Sequence, residues 1–249
     1  MNNNFTFDPE ELSELCKKLR LRGFGEAISE LRSDPAACGL SQIEWVMTAL
    51  RTEEALRSEN ALQRRLKNAQ LKHKDATVAN IDFAPGRGIK KSQLMNLVNG
   101  DWVEYGQNCL ITGKTGVGKT WIASALGNAC CGLGYKVKFI RFPYLIDDFR
   151  AAASTGGIEK LVRSLDKFDL LILDDWGYGK METSSRRGMM ELVESREKRK
   201  SILITSIIPV KEWARYIDDP TFADAINDRF LSKVIRLDLT GPSMRTGVA

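Results

Sequence analysis

Apolar and polar positions recur along this chain with two different periods, and the change between them divides it. Near the start, Asp8-Pro9-Glu10-Glu11 sets an N-cap acid before a proline at the first helical position, with a glutamate at the third. Leu12, Leu15 and Leu19 then recur at helical spacing. Gly23 and Gly25 are expected to break that helix, and a second short helix is expected to run to about Leu31. Ser41-Gln42-Ile43-Glu44 is a capping box opening a long helix from Ile43 to about Leu71, with Trp45, Leu50, Leu56, Leu62 and Leu66 as its apolar stripe. Residues 1–75 therefore read as a small all-α bundle. From Ala76 to Gly88 the periodicity is lost and Pro85, Gly86 and Gly88 appear, which predicts a linker over 76–91.

Beyond it the pattern changes to short, continuous apolar runs at 108–112, 136–140, 169–175, 201–206 and 234–239, read as five buried strands. Helical patterns at 121–131, 143–153 and 158–165 lie between them. Alternation of this kind predicts an α/β domain over 92–249, a parallel five-stranded sheet flanked by helices.

Candidate chemistry begins after the first strand, where Gly113-Lys114-Thr115-Gly116-Val117-Gly118-Lys119-Thr120 fits the phosphate-loop pattern at every fixed position. Its glycines let the backbone curl so that N–H groups point inward, and the helix that follows adds its positive end. Lys119 supplies a full charge to the phosphates of a nucleotide, and the Thr120 hydroxyl is placed for Mg²⁺. The strand at 169–175 ends in two carboxylates. Asp174 is the candidate metal contact and Asp175 the group that orients and deprotonates the attacking water. The strand at 201–206 ends in hydroxyls, of which Ser206 is the candidate to sit beside the γ-phosphate. Taken alone, Arg229 reads as a surface or helix-capping residue.

Composition narrows the picture further. With 43% hydrophobic and 28% charged residues the chain is ordinary for a soluble domain, and its apolar runs are too short to span a bilayer. The start carries neither a basic n-region nor an apolar h-region, so a cytoplasmic location without membrane contact is expected. Five cysteines without a C-x-x-C argue against a disulfide framework or a zinc site. The only histidine, His73, leaves no histidine-based metal cluster or catalytic triad. Charge is uneven: residues 61–91 hold eight basic and two acidic residues, while the whole chain carries a net +5. Arg64, Arg65, Lys67, Lys72 and Lys74 form a cluster that suits a polyanion or a solvated helix face, and charge alone leaves both readings open.

Phosphate loop, Asp-Asp strand, hydroxyl-ended strand and Asn227-Asp228-Arg229-Phe230, in that order and spacing, resemble the AAA+ ATPases of the DnaA/DnaC-related group. Within it the chain is most similar to the IstB-type transposition helper ATPases. The resemblance rests further on Leu62-Gln63-Arg64-Arg65-Leu66-Lys67-Asn68-Ala69, Leu171-Ile172-Leu173-Asp174-Asp175-Trp176-Gly177-Tyr178, Ser195-Arg196-Glu197 and Gly241-Pro242-Ser243-Met244-Arg245. It implies ATP and Mg²⁺ as cofactors, with Lys119, Thr120 and Asp174 as their ligands and Asp175 as the catalytic acid where most AAA+ proteins carry Glu. It places Ser206 in the polar sensor segment, although Ile207 follows where relatives often have Asn or Gln. Arg229 takes the place of an arginine finger completing the site of a neighbouring subunit in a homo-oligomer. Ile81 and Phe83 match the stretch lining the adenine pocket, or else are ordinary linker anchors. No C-terminal helical lid is expected, and whether Arg245 replaces the lid's arginine stays open.

The function implied is ATP-dependent assembly on double-stranded DNA, with recruitment and stimulation of a transposase subunit. That tips the basic cluster toward DNA and adds Arg150 and Arg163 as weaker DNA candidates. A helicase loader of DnaC type shares the same motifs. A small-molecule phosphoryl transferase would need an acceptor site and a mobile lid, and a DNA scaffold that binds ATP without hydrolysing it is a further alternative.

Overall fold

In the computed structural model, which describes residues 8–178 and 181–244, the chain divides into two compact units, one ending at Arg64 and one beginning at Arg65. The first is helical. Helix α1 (Pro9–Leu19) starts where the Asp8 carboxylate accepts the N–H of Glu10, and it ends at Arg20, whose φ of 57° turns the backbone left-handed. Gly23 and Gly25, expected to break the helix, instead lie inside α2 (Arg22–Ser33). They serve close approach: a Cβ at Gly23 would stand 3.0 Å from the backbone of Glu53, and one at Gly25 would stand 3.1 Å from the Cys16 side chain. After a 3₁₀ turn (Pro35–Gly39) comes α3 (Gln42–Ala69), opened by the expected capping box, in which the Ser41 N–H and hydroxyl both donate to Glu44. Leu50, assigned to the apolar stripe, is 47% exposed, whereas Ala49 and Glu53 are buried. Glu53 is satisfied by the Phe24 N–H and by Arg57.

The second unit is built on five parallel strands: β1 (Cys109–Gly113), β2 (Val137–Arg141), β3 (Leu170–Trp176), β4 (Ser201–Ser206) and β5 (Ile235–Leu239). Their spatial order is β2-β3-β4-β1-β5, so the chain's fourth strand lies between its first and third. The strands run apolar because helices cover the sheet. These are α4 (Lys91–Val98), α5 (Asp101–Glu104), α6 (Lys119–Gly132), α7 (Phe142–Ser154), α8 (Ile158–Leu165), α9 (Thr183–Arg196), α10 (Trp213–Ile217) and α11 (Pro220–Leu231). Leu171, Leu173, Ile202 and Ile204 of the sheet join Phe149, Met189, Leu192 and Phe230 of the helices in one core.

The stretch expected to be a linker is packed within this unit. Ala76, Ile81 and Ile89 are buried, and Asn128 Nδ2 donates to the carbonyls of Lys74 and Ala76 at 3.1 and 2.8 Å. The starts of β3 and β4 are joined by Arg196, which is 1% exposed and donates to the carbonyls of Leu165, Phe168, Asp169 and Ser201 at 2.9–3.3 Å. Its burial lowers the guanidinium pKa to about 10. Arg196→Met keeps much of the volume but strands these carbonyls. It should cost about 3–5 kcal/mol of stability, read as a lower urea midpoint at unchanged m.

Candidate functional site

The centre of the second unit is the turn from β1 into α6. Gly113, Gly116 and Gly118 have φ of 147°, 89° and 98°, values open to glycine and strained for other residues. The turn's carbonyls are occupied by donors from other parts of the unit. Lys119, 7% exposed, donates from Nζ to the oxygens of Gly113 and Lys114 at 2.7 and 2.9 Å. The Gly116 carbonyl accepts the N–H of Met244, and the Val117 carbonyl accepts Arg87 Nη2, both at 2.9 Å. A loop held in this way by its carbonyls leaves its N–H groups for an anion.

Thr120, at the start of α6, donates its hydroxyl to the fully buried Asp174 at 2.9 Å. Thr205 on β4 donates to the same carboxylate at 2.6 Å and accepts the N–H of Asp175 at 3.1 Å. That arrangement follows from a bulge. Leu173 pairs with Ile204 and Trp176 with Ser206, so Asp174 and Asp175 together oppose the single residue Thr205. Asp175 adopts a φ of 65°, and the bulge brings two consecutive acids to one place where a regular strand would point them to opposite faces. Burial pushes the Asp174 pKa up, against the hydrogen bonds from Thr205 and Thr120. The Asp175 carboxylate is held by Arg141, at the end of β2, at 3.0 Å.

Ser206 does not join this group. Its hydroxyl donates to the Ile208 carbonyl at 2.8 Å and accepts the Ile208 N–H, closing the turn after β4. The strand-end hydroxyl beside the acids is that of Thr205, one position earlier, because side chains alternate along a strand.

A cavity of about 360 Å³ adjoins the loop, lined by Thr115, Gly116, Gly118, Lys119, Thr120 and Asp175 at one end and by His73, Asn80, Ile81 and Trp121 among others. Lys114 contributes its carbonyl and Val117 is buried behind the loop. Ile81 lines the cavity; Phe83 is half-buried and is not among its lining residues. His73 packs against Trp121 with ring centroids 5.2 Å apart and the rings tilted by 46°. The glycine cradle, the buried ammonium and a cavity of this size suit a nucleotide. The hydroxyl and buried carboxylate in contact are the hard oxygen pair that Mg²⁺ takes, and a nearby cation would offset the cost of burying Asp174.

Arg229 lies apart from the cavity lining, donating to Glu194 on α9 at 2.9 Å and to the carbonyl of Ala225. Among the basic candidates, Arg64, Lys67, Lys72 and Lys74 are exposed, whereas Arg65 donates from Nε to the Cys131 carbonyl at 2.8 Å. Arg150 is paired with Asp147 and Glu182, and Arg163 with Glu159. Arg245 lies outside the described residues. The hydroxyl-ended strand marks Thr205 only once its facing is known; Arg87 and Arg141 carry no motif, and Met244 lies in the matching stretch 241–245 without a role assigned to it there.

Residues 14–248 match the family of the IstB-like ATP binding protein. The insertion sequence ATP-binding protein y4pL of Sinorhizobium fredii is 38% identical over 225 residues, which cover 90% of this chain and 91% of that protein. The ATP-binding protein of insertion sequence IS1162 from Pseudomonas fluorescens is 37% identical over 80% of this chain and 85% of its own. Among solved structures, DnaI aligns with a TM-score of 0.58 at 18% identity, covering 72% of this chain and 98% of that one. The DnaC helicase loader aligns with a TM-score of 0.53 at 19% identity, covering 67% and 97%. These two likenesses establish the phosphate-loop AAA+ fold. Among the described residues no helix is long and apolar enough to cross a membrane.

The two hydroxyls of β4 make a direct comparison. Thr205→Val removes the donor to Asp174 and the acceptor for Asp175, and should lower single-turnover ATP hydrolysis by about 10²-fold, the scale of a misplaced reacting group. Ser206→Ala should leave the rate within a few-fold. The reverse order of effects would favour Ser206 as the hydroxyl that acts on the γ-phosphate.

Proposed function

This chain belongs to the IstB-like ATP-binding protein family, whose membership implies ATPase activity, and we propose that it hydrolyses ATP to control its own assembly on duplex DNA during insertion-sequence transposition. The observation that carries the reading is the contact of Thr120 and Thr205 with Asp174 beside the glycine cradle. In this reading the loop N–H groups and Lys119 bind the ATP phosphates. Thr120 and Asp174 would hold Mg²⁺, which neutralises charge on the phosphate oxygens when bound. Asp175 accepts a proton from the attacking water, and Arg141 orients its carboxylate.

Arg229 acts on the site of a neighbouring subunit, a role supported by its place outside the lining of its own cavity. Arg64, Lys67, Lys72 and Lys74 contact DNA phosphates, with a transposase subunit as the protein partner. Arg150 and Arg163 are weaker contacts because carboxylates already pair them. The likeness to the DnaC helicase loader raises one other reading, a helicase loader, which copurification with a replicative helicase instead of a transposase would support.

An ATPase assay with Lys119→Ala tests the site; ATP binding and assembly should both be lost, and retention of both would end the phosphate-loop reading. Arg229→Ala should bind ATP but hydrolyse it about 10³-fold more slowly. Mixed with Asp175→Asn protein it should regain activity wherever an intact Asp175 site meets an intact arginine. Co-assembly without such rescue would overturn the shared site. For DNA, reversing the charges of Arg64 and Lys67 should flatten the dependence of log K on log salt by about 0.9 per lost phosphate contact. An unchanged slope and affinity would assign these residues to a solvated face.

A further inference from the structure

Arg87 lines the nucleotide cavity, yet it is 6% exposed and belongs to none of the motifs. Taking a guanidinium out of water is unfavourable unless its donors are used, and here they reach three separate stretches of chain. Nη2 donates to the Val117 carbonyl at the apex of the phosphate loop at 2.9 Å. Nη1 donates to Asp82 Oδ2 at 3.2 Å, in the stretch leading into the sheet, and to Met244 Sδ at 2.9 Å. No acceptor reaches its buried Nε among the described residues.

The third stretch, Thr240 to Met244, follows β5 and runs as a strap against the loop. Its beginning is fixed to Arg87 as well, since the Thr240 N–H donates to the Arg87 carbonyl at 3.0 Å and the Thr240 hydroxyl donates to the Gly86 carbonyl. Its far end meets the loop, with the Met244 N–H on the Gly116 carbonyl. Ser243 packs so closely on Gly116 that a Cβ there would collide with Ser243 Oγ. Met244 then lines the cavity beside Gly116 and Ile81. One guanidinium therefore holds both the curl of the loop and the strap that walls the cavity.

We infer that Arg87 is a nucleotide-positioning residue: it latches the strap Thr240–Met244 to the phosphate loop, so that the curl binding the phosphates and the wall facing the rest of the nucleotide are set as one body. The inference rests on the proposed binding of ATP at this loop. The latch acts on bound nucleotide throughout the reaction, so its loss raises KM and leaves kcat nearly unchanged, the mark of uniform binding. Lysine is no substitute, because a single ammonium lacks the planar fork that spans a carbonyl, a carboxylate and a thioether.

The test is ATP affinity and steady-state hydrolysis by the full chain, comparing wild type with Arg87→Met, Arg87→Lys, Met244→Ala, Thr240→Val and the Arg87→Met/Met244→Ala pair. Arg87→Met and Arg87→Lys should each raise Kd and KM by about tenfold, with kcat within twofold. Met244→Ala and Thr240→Val should each raise Kd about threefold. The double variant should be no weaker than Arg87→Met alone, because residues acting through one contact are not additive. Overturning results are an Arg87→Met Kd within twofold of wild type, wild-type affinity in Arg87→Lys, additive effects in the pair, or a fall in kcat with KM unchanged. If Arg87→Met fails to fold, Thr240→Val and Met244→Ala decide, and wild-type affinity in both overturns the latch. Lys119→Ala separates the two levels. Normal ATP affinity in that variant ends the phosphate-loop reading itself, whereas lost binding there with unaffected Arg87 and strap variants ends only the latch.

Discussion

A peptide chain curls its N–H groups around an anion only if the carbonyls displaced by the curl find donors, and much of the second unit is arranged to supply them. Lys119 serves Gly113 and Lys114, the backbone of Met244 serves Gly116, and Arg87 serves Val117. Those donors come from the helix after the loop, from the segment before the sheet and from the stretch after its last strand. Glycines at 113, 116 and 118 supply the left-handed turns, but glycine alone would leave the loop one conformer among many. The partners select the curl.

A second constraint is set by strand order. β4 lies beside β3, which carries the acids, so a β4 side chain is placed to meet them while Thr120 reaches them from the helix after the loop. Thr205 fills that place with one hydroxyl, donating to Asp174 and accepting from the backbone of Asp175. The bulge opposite it costs a ladder position and a left-handed aspartate, and in return places two carboxylates in different surroundings. Asp174 is buried against two hydroxyls, and Asp175 is part-exposed and paired with Arg141. Two neighbouring acids thereby meet different surroundings, one closed off by hydroxyls and one facing the cavity.

The sequence by itself determined the class of fold and the position of the nucleotide loop. Five apolar runs alternating with helical patterns leave few alternatives to a parallel sheet, and the glycine spacing around Lys119 and Thr120 is a local property of the backbone that any fold would have to respect. The position of Asp174 is likewise a local feature, a charge ending an otherwise apolar strand. Only the tertiary structure decided which hydroxyl of β4 turns toward the acids, because one bulge on the neighbouring strand changes which side chains meet and leaves no mark in the residue pattern. It also decided that Gly23 and Gly25 permit helix contact instead of ending a helix, and that 76–91 packs on the unit it leads into. Arg87 and Arg141 were invisible for the deepest reason. Each acts on partners brought close by strand order and chain return, Val117 and Met244 for one and Asp175 for the other, and no period or motif along the chain encodes a contact made across it.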